Sequence, residues 1–375
     1  MKLRTLSLAL CLAAIAPVIS AKTLTVKTDA GKIQVNTIAE GLENAWGMAF
    51  LPDGSMLVTE RPGRMRIVSA DGKLGEPLSG LPEIVARGQG GLLDVVLAPD
   101  FATSKKIYFS YSEPGKGGNS TAVSFATLNG NKLENVTRVF SQQPKIESNN
   151  HFGSRLIWAP DGTLFITLGD RYSEKDKAQT LDNHQGKVVR INADGSVPKD
   201  NPFVNKAGAL PEIWSYGHRN MQGAAINPLT KELWTGEHGP QGGDEINIDR
   251  AAKNYGWPVI TYGENYGGGK IGEGTHKDGM EQPIYKWVPS IATAGFIFYT
   301  GDKFPQWKNN ILLASLREQT LVRLVVDGEK ITKEERLLKD DVGQRLRTVV
   351  QGPDGLVYLV TDESKSKIYQ LSPAN

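Results

Sequence analysis

The amino-acid sequence predicts an all-β chain folded as a six-bladed β-propeller of four-stranded antiparallel blades. Three observations carry that expectation. One turn phrase recurs six times: Leu51-Pro52-Asp53-Gly54, Ala159-Pro160-Asp161-Gly162 and Gly352-Pro353-Asp354-Gly355 in strict form, and Ala98-Pro99-Asp100, Asn227-Pro228-Leu229-Thr230 and Tyr299-Thr300-Gly301-Asp302 in looser form. Short apolar runs rich in strand formers flank it, such as Ile107-Tyr108-Phe109-Ser110-Tyr111, Leu164-Phe165-Ile166-Thr167-Leu168 and Leu356-Val357-Tyr358-Leu359-Val360. The 41 glycines and 20 prolines are spread so that almost every window a helix would need is interrupted.

The turn phrase is a hairpin signal, because Asp-Gly between two alternating runs supplies the backbone freedom a tight connection needs. Its spacing averages about 60 residues. That exceeds a plain four-stranded repeat of about 40–45 residues, so the middle copies must carry long loops. A seventh blade, a β-helix and a pair of sandwiches are the structural alternatives. No Pro/Ser-rich linker divides the chain, which reads as one catalytic domain over residues 22–375.

Residues 1–21 read as a signal peptide rather than as fold. Lys2 and Arg4 give a charged start, residues 6–18 are apolar, and Val18-Ile19-Ser20-Ala21 offers small residues for cleavage. The apolar run is too short to span a bilayer. An exported, periplasmic protein is expected. The single cysteine, Cys11, lies in that segment, so the mature chain has no disulfide and no thiolate chemistry. A net charge of +2 argues against nucleic acid as a partner, and no other stretch is apolar enough to cross a membrane.

A hairpin places residues equidistant from its turn side by side at its open end. His151 and Asp170 are so placed about Pro160-Asp161, Arg219 and Gly239 about Pro228-Leu229-Thr230, and Arg347 and Asp362 about Asp354-Gly355. The reactive side chains therefore gather at one end of several hairpins, away from the turns. In a propeller that end surrounds the channel mouth, the natural place for a ligand.

Four clusters fall there. His151 beside Asp170 has the make-up of a general base held in one tautomer by a carboxylate; spacing alone equally allows a structural hydrogen bond. Arg219 and Asn220 offer cationic and amide donors, although a lone arginine is more often a surface residue. The segment Glu237-His238-Gly239-Pro240-Gln241-Gly242-Gly243-Asp244-Glu245 combines carboxylates with glycine-exposed carbonyls, which suits a hard cation such as Ca²⁺ as well as it suits a solvated acidic turn. Arg345 and Arg347 alternate on a strand and should share a face. Gln89 and Arg317 are placed to join them. No dinucleotide fingerprint and no phosphate-binding Gly-rich loop is present.

These residues, in this order and spacing, resemble the soluble quinoprotein glucose and aldose sugar dehydrogenases, which use pyrroloquinoline quinone. The resemblance runs from about Ala45 to the C-terminus. It rests on Gly88-Gln89-Gly90-Gly91-Leu92-Leu93-Asp94, residues 151–170, Gly217-His218-Arg219-Asn220, Gly239-Pro240 and Asn254-Tyr255-Gly256-Trp257-Pro258. It implies a six-bladed propeller that oxidises an aldose substrate at C1 to a lactone. It implies His151 as base, Asp170 as its orienter and Arg219 on the reducible carbonyl of the cofactor. Gln89, Asn220, Arg317, Arg345 and Arg347 would complete the cofactor site. The carbonyls of Gly239 and Pro240 would hold Ca²⁺, and Glu245 and Tyr255 a further calcium. Relatives commonly have lysine where Arg317 stands, which makes that transfer the weakest, and residues 262–285 match poorly and are expected to form a loop over the channel. Two other readings use the same residues: a calcium-dependent propeller lactonase, and a non-catalytic glycan-binding propeller. Neither accounts for so many arginines at one mouth.

Overall fold

The computed structural model describes residues 23–374; the expected leader lies outside them. Six antiparallel sheets follow one another around a ring. In each, the recurrent turn joins the innermost strand to the second. Leu51-Pro52-Asp53-Gly54 links Ala45–Phe50 to Met56–Glu60 in blade 1, and Ala98-Pro99-Asp100 links Leu92–Leu97 to Lys106–Gly115 in blade 2. Blades 3 to 6 begin with Leu156–Trp158, Met221–Ile226, Thr293–Phe298 and Leu346–Gln351, each followed by its copy of the turn. Six phrases thus mark six blades. Asp53, Asp161 and Asp354 each accept the N–H two residues on, which closes the turn locally.

Four blades have four strands, but the first has three and the last five. After Arg64–Val68 the chain forms no fourth strand and meets this blade through the isolated bridge Val68↔Leu74 and the hydrogen bonds from Gly75 N–H to Ile67 O and Leu78 N–H to Met65 O. Pro77 and Pro82 lack the N–H that a fourth strand there would need to donate. In the last blade Gly31–Leu42 pairs antiparallel with Ser366–Pro373, and Thr23–Thr28 adds an outer strand through a two-residue turn. Gly31–Leu42 and Ser366–Pro373 thereby close the ring, with Thr23–Thr28 as the outer edge strand of the last blade. Among the described residues helix is confined to one turn, Phe101–Ser104, and two short 3-10 segments, Lys175–Gln179 and Pro305–Trp307.

Apolar side chains fill the spaces between blades. Leu57, Met65, Leu92, Val95, Phe109 and Tyr111, all nearly inaccessible, join blades 1 and 2. The channel itself is polar. Arg155 crosses it, donating to Gln222 O (2.7 Å), Thr348 Oγ1 (2.9 Å) and Asp94 Oδ1 (3.3 Å), with its guanidinium over Trp46. Five of the six innermost strands shift register near their first residues, at the mouth. Such bulges re-aim side chains where a strand starts.

Candidate active site

The three pairs expected from hairpin symmetry are in contact. His151 Nδ1 lies 2.6 Å from Asp170 Oδ1. Arg219 donates through Nη1 to Gly239 O at 2.8 Å. Arg347 donates through Nε to Asp362 Oδ2 at 3.1 Å and through Nη2 to the same oxygen.

His151 and Asp170 are 6 % and 0 % exposed. His151 has φ 53°, a left-handed conformation unusual for a side chain of this kind. It is held there from several sides. Its N–H donates to Gln89 Oε1 (2.8 Å), the next loop residue but one, Gly153, donates its N–H to Asn220 Oδ1 (3.1 Å), and Gly169 packs so closely that a Cβ would sit 1.9 Å from His151 O. Burial pulls the imidazole below its ordinary value; Arg219 and Arg171 act in the same direction and Asp170 opposes them. The neutral ring with its proton on Nδ1 leaves Nε2 free as the basic atom. Burial would raise the Asp170 carboxyl, but the pair with His151 and the Arg219 charge hold it below the usual range. Its second oxygen accepts the indole N–H of Trp257 at 2.7 Å.

The arginines divide between two recesses. Gln89, Arg345 and Arg347 line one of about 270 Å³ with Arg61, Trp46, Gln222, Asp362 and Glu363. Arg317 lines the other, of about 600 Å³, with Gly239, Pro240, Asp244, Tyr266 and Val288. Arg317 therefore does not stand with Arg345 and Arg347; it follows strand Ile311–Ser315 of the neighbouring blade and donates to Ser290 O at 3.3 Å. Strand alternation does not make Arg345 and Arg347 equivalent either, because the register shifts between Leu346 and Thr348. Arg347 is buried and Arg345 exposed. Burial raises and Arg347 and Arg61 lower the Asp362 carboxyl, with a result of about 2.

Around the expected cation site, Asp244 organises the chain: Oδ1 accepts the Gly239 N–H and Oδ2 those of Ile291 and Ala292. The Gly239 carbonyl is already engaged by Arg219. Glu245 faces Glu237 across the strand pair, and desolvation together with that like charge pushes it up to about 8. The Tyr255 phenol is consumed by main chain, donating to Ile248 O and accepting from Arg250 N. Any part of Tyr255 in a cation site therefore falls to its main chain. Among the described residues no three His, Cys, Asp or Glu side chains converge as a preformed metal cage.

Residues 42–370 match the Glucose / Sorbosone dehydrogenase family. The chain belongs to this family. It is 48 % identical over 349 residues to the aldose sugar dehydrogenase YliI of Escherichia coli, spanning 92 % of this chain and 94 % of that one. The apo-form crystal structure of the soluble aldose sugar dehydrogenase from Escherichia coli superposes with a TM-score of 0.89 at 46 % identity, covering 91 % of this chain and all of that one. The PQQ-bound aldose sugar dehydrogenase from Streptomyces coelicolor superposes at 0.74 with 27 % identity, covering 91 % and 98 %. As a member of the glucose/sorbosone dehydrogenase family the chain is an enzyme. Around the pair of His151 and Asp170 the structure adds residues that sequence reasoning gave no role: Arg61, Arg155, Tyr172, Trp257 and Tyr266. Tyr172 is exposed, with its ring edge-on to His151 at 5.4 Å, and Tyr266 is 63 % exposed beside Arg219. Arg155 and Trp257 stand inside motifs singled out above, but nothing local marks what they touch.

Proposed function

We propose that this chain is a periplasmic, calcium-dependent quinoprotein that oxidises aldoses at C1 to lactones. The observation that carries the reading is the buried pair of His151 and Asp170, 2.6 Å apart, beside an arginine-lined recess. Pyrroloquinoline quinone is a flat molecule of carboxylates and carbonyls, and the residues present suit it. Arg61, Arg345 and Arg347 crowd one recess, and Arg61 Nε there is a buried donor with no protein partner. Gln89 and Asn220 use their oxygens on the His151 loop, which leaves their amide N–H groups for a ligand. For calcium, the Gly239 and Pro240 main chain offers hard oxygen donors, and the repulsion between Glu237 and Glu245 is relieved by a cation.

When bound, the quinone would supply the two-electron hydride acceptor and calcium a Lewis acid. His151 Nε2 takes the proton of the anomeric hydroxyl as C1 is oxidised. Asp170 keeps the Nδ1–H tautomer and stabilises the imidazolium that results. Arg219 would donate to the reducible carbonyl of the cofactor, and Asn220, Gln89, Arg317, Arg345 and Arg347 would bind its remaining oxygens. Export through the leader at residues 1–21 would place the enzyme in the periplasm. Among the described residues no helix is long and apolar enough to cross a membrane.

The test is dye reduction by the purified protein with glucose and a panel of aldoses, supplied with quinone plus Ca²⁺, with either alone, and with NAD⁺, with the product identified by NMR. Lactone formed only with both additions supports the proposal. Hydrolysis of lactones without quinone would replace it with a hydrolase.

A further inference from the structure

We infer that Trp257 is a positioning residue of this site: its indole N–H locks the Asp170 carboxylate that orients His151, while its ring face carries Arg219. The inference rests on the role proposed for His151. Asp170 is fully buried, and each of its oxygens is committed. Oδ1 holds His151 Nδ1 and the Tyr172 N–H (2.8 Å), and Oδ2 holds Trp257 Nε1 at 2.7 Å. The carboxylate cannot turn without breaking the indole bond, so the bond fixes the plane in which the imidazole sits. The Arg219 guanidinium lies 5.4 Å from the centre of the Trp257 ring, within cation–π range.

Trp257 is itself held from outside the site. Its N–H donates to Gly217 O (2.9 Å), its carbonyl accepts from Gln179 Nε2 (2.7 Å), and its ring packs on Ala178 and Ile271. Ile271 belongs to the segment 262–285 that reads as a loop over the channel. One side chain thus joins the base, the arginine and that loop.

A buried tryptophan ordinarily gives its N–H to whatever acceptor is near. The other tryptophans here do so or go without. Trp158 and Trp214 donate to the carbonyls of Leu97 and Asp249, Trp287 to Glu334, and Trp234 and Trp307 have no partner. Trp257 alone among these donates to the carboxylate of the base pair. The groups facing His151 are Asp170, Arg171 and Tyr172 from the segment after Leu164–Leu168, Arg219 from the loop before Met221–Ile226, and His238 from the loop after Leu233–Glu237.

Trp257→Phe keeps the ring and deletes one donor. Asp170 then holds its negative charge with one hydrogen bond fewer, which makes it a better partner for the imidazolium, so the His151 pKa must rise. The first readout is NMR titration of the five histidines in protein without quinone; the His151 curve should move to higher pH by about half a unit, and an unmoved curve overturns the inference. In the loaded enzyme kcat should fall about tenfold with KM unchanged, whereas a change in KM alone would make Trp257 a substrate contact and also overturn it. Should the variant fail to fold, wild-type protein decides. The Trp257 indole proton must shift along the His151 titration, and a stationary signal contradicts the coupling. The titrations need neither quinone nor turnover, so a protein that couples Trp257 to His151 but oxidises no aldose would sink the proposed function and leave only the coupling of Trp257 to the pair, whereas an unmoved His151 curve in a protein that oxidises aldoses would sink this inference alone.

Discussion

On the His151 side of the mouth every working side chain is buried and occupied with another, whereas on the other side Arg347 is buried against Asp362 and Gln222 but Arg345 is left exposed. His151, Asp170, Arg219 and Asn220 are each no more than 6 % exposed, and hydrogen bonds from blades 2 and 4 hold the strained loop that carries the imidazole. The recess of Arg61, Arg345 and Arg347 sets three guanidinium groups against the two carboxylates Asp362 and Glu363, and Arg345 is exposed. The difference fits the roles proposed for the two halves. A base must meet one proton in one direction, so its partners are bonded before substrate arrives. A carboxylate-binding recess needs net positive charge and reach, and it gains most when its cations are left for the ligand.

That contrast can be broken from either side, and the largest effect should come from the rigid half. Asp170→Asn keeps the shape but presents the wrong partner to His151 Nδ1. Turnover should fall by about 10³–10⁴ while quinone binding, followed by fluorescence quenching, stays within about twofold. A comparable loss of binding would mean that the two halves are not separate.

Arg347→Ala is next. It removes a proposed cofactor contact and strands the buried Asp362 with Arg61 and Asn44 as its remaining partners. Quinone affinity should fall about 10–100-fold. Because the buried charge loses its main counter-ion, stability measured by denaturant unfolding should fall by about 3 kcal/mol.

The smallest expected effect is on pH. As the proposed base His151 must be neutral, and burial with Arg219 and Arg171 depresses its pKa below 6.5. The acid limb of kcat/KM must therefore lie below 6.5, since protonation removes the base only once pH drops through the depressed value. Asp170→Asn removes the partner that raises it. Arg171→Met removes a charge that lowers it and should move the limb upward, toward 6.5, which pH profiles would resolve.

The two halves also differ in how far they can be read from sequence. A hairpin dictates its own cross-strand partners, so His151 with Asp170, Arg219 with Gly239 and Arg347 with Asp362 follow from counting outward from a copy of the recurrent turn. The blade number follows from the same turns. Contacts between blades have no such rule. Gln89 reaches His151 across 62 residues and Trp257 reaches Asp170 across 87, and only the closing of the ring brings them together. A bulge at the strand start defeats simple alternation, which is why Arg345 and Arg347 differ in burial, and Arg317 falls into the other recess because it follows strand Ile311–Ser315 of the neighbouring blade. The three-stranded first blade needed the effect of Pro77 and Pro82 to be weighed against the repeat.

The most direct measurement pairs two variants in one experiment: the quinone dissociation constant and the single-turnover rate for His151→Ala and for Arg345→Ala, in the presence of Ca²⁺. The structure predicts a crossover. His151→Ala should bind quinone nearly as wild type does and lose turnover by about 10²–10⁴, and Arg345→Ala should bind about tenfold more weakly yet turn over at a near wild-type rate once saturated. His151→Ala turning over normally, or both variants losing binding and turnover together, would contradict the division of the mouth into a base half and an anion half.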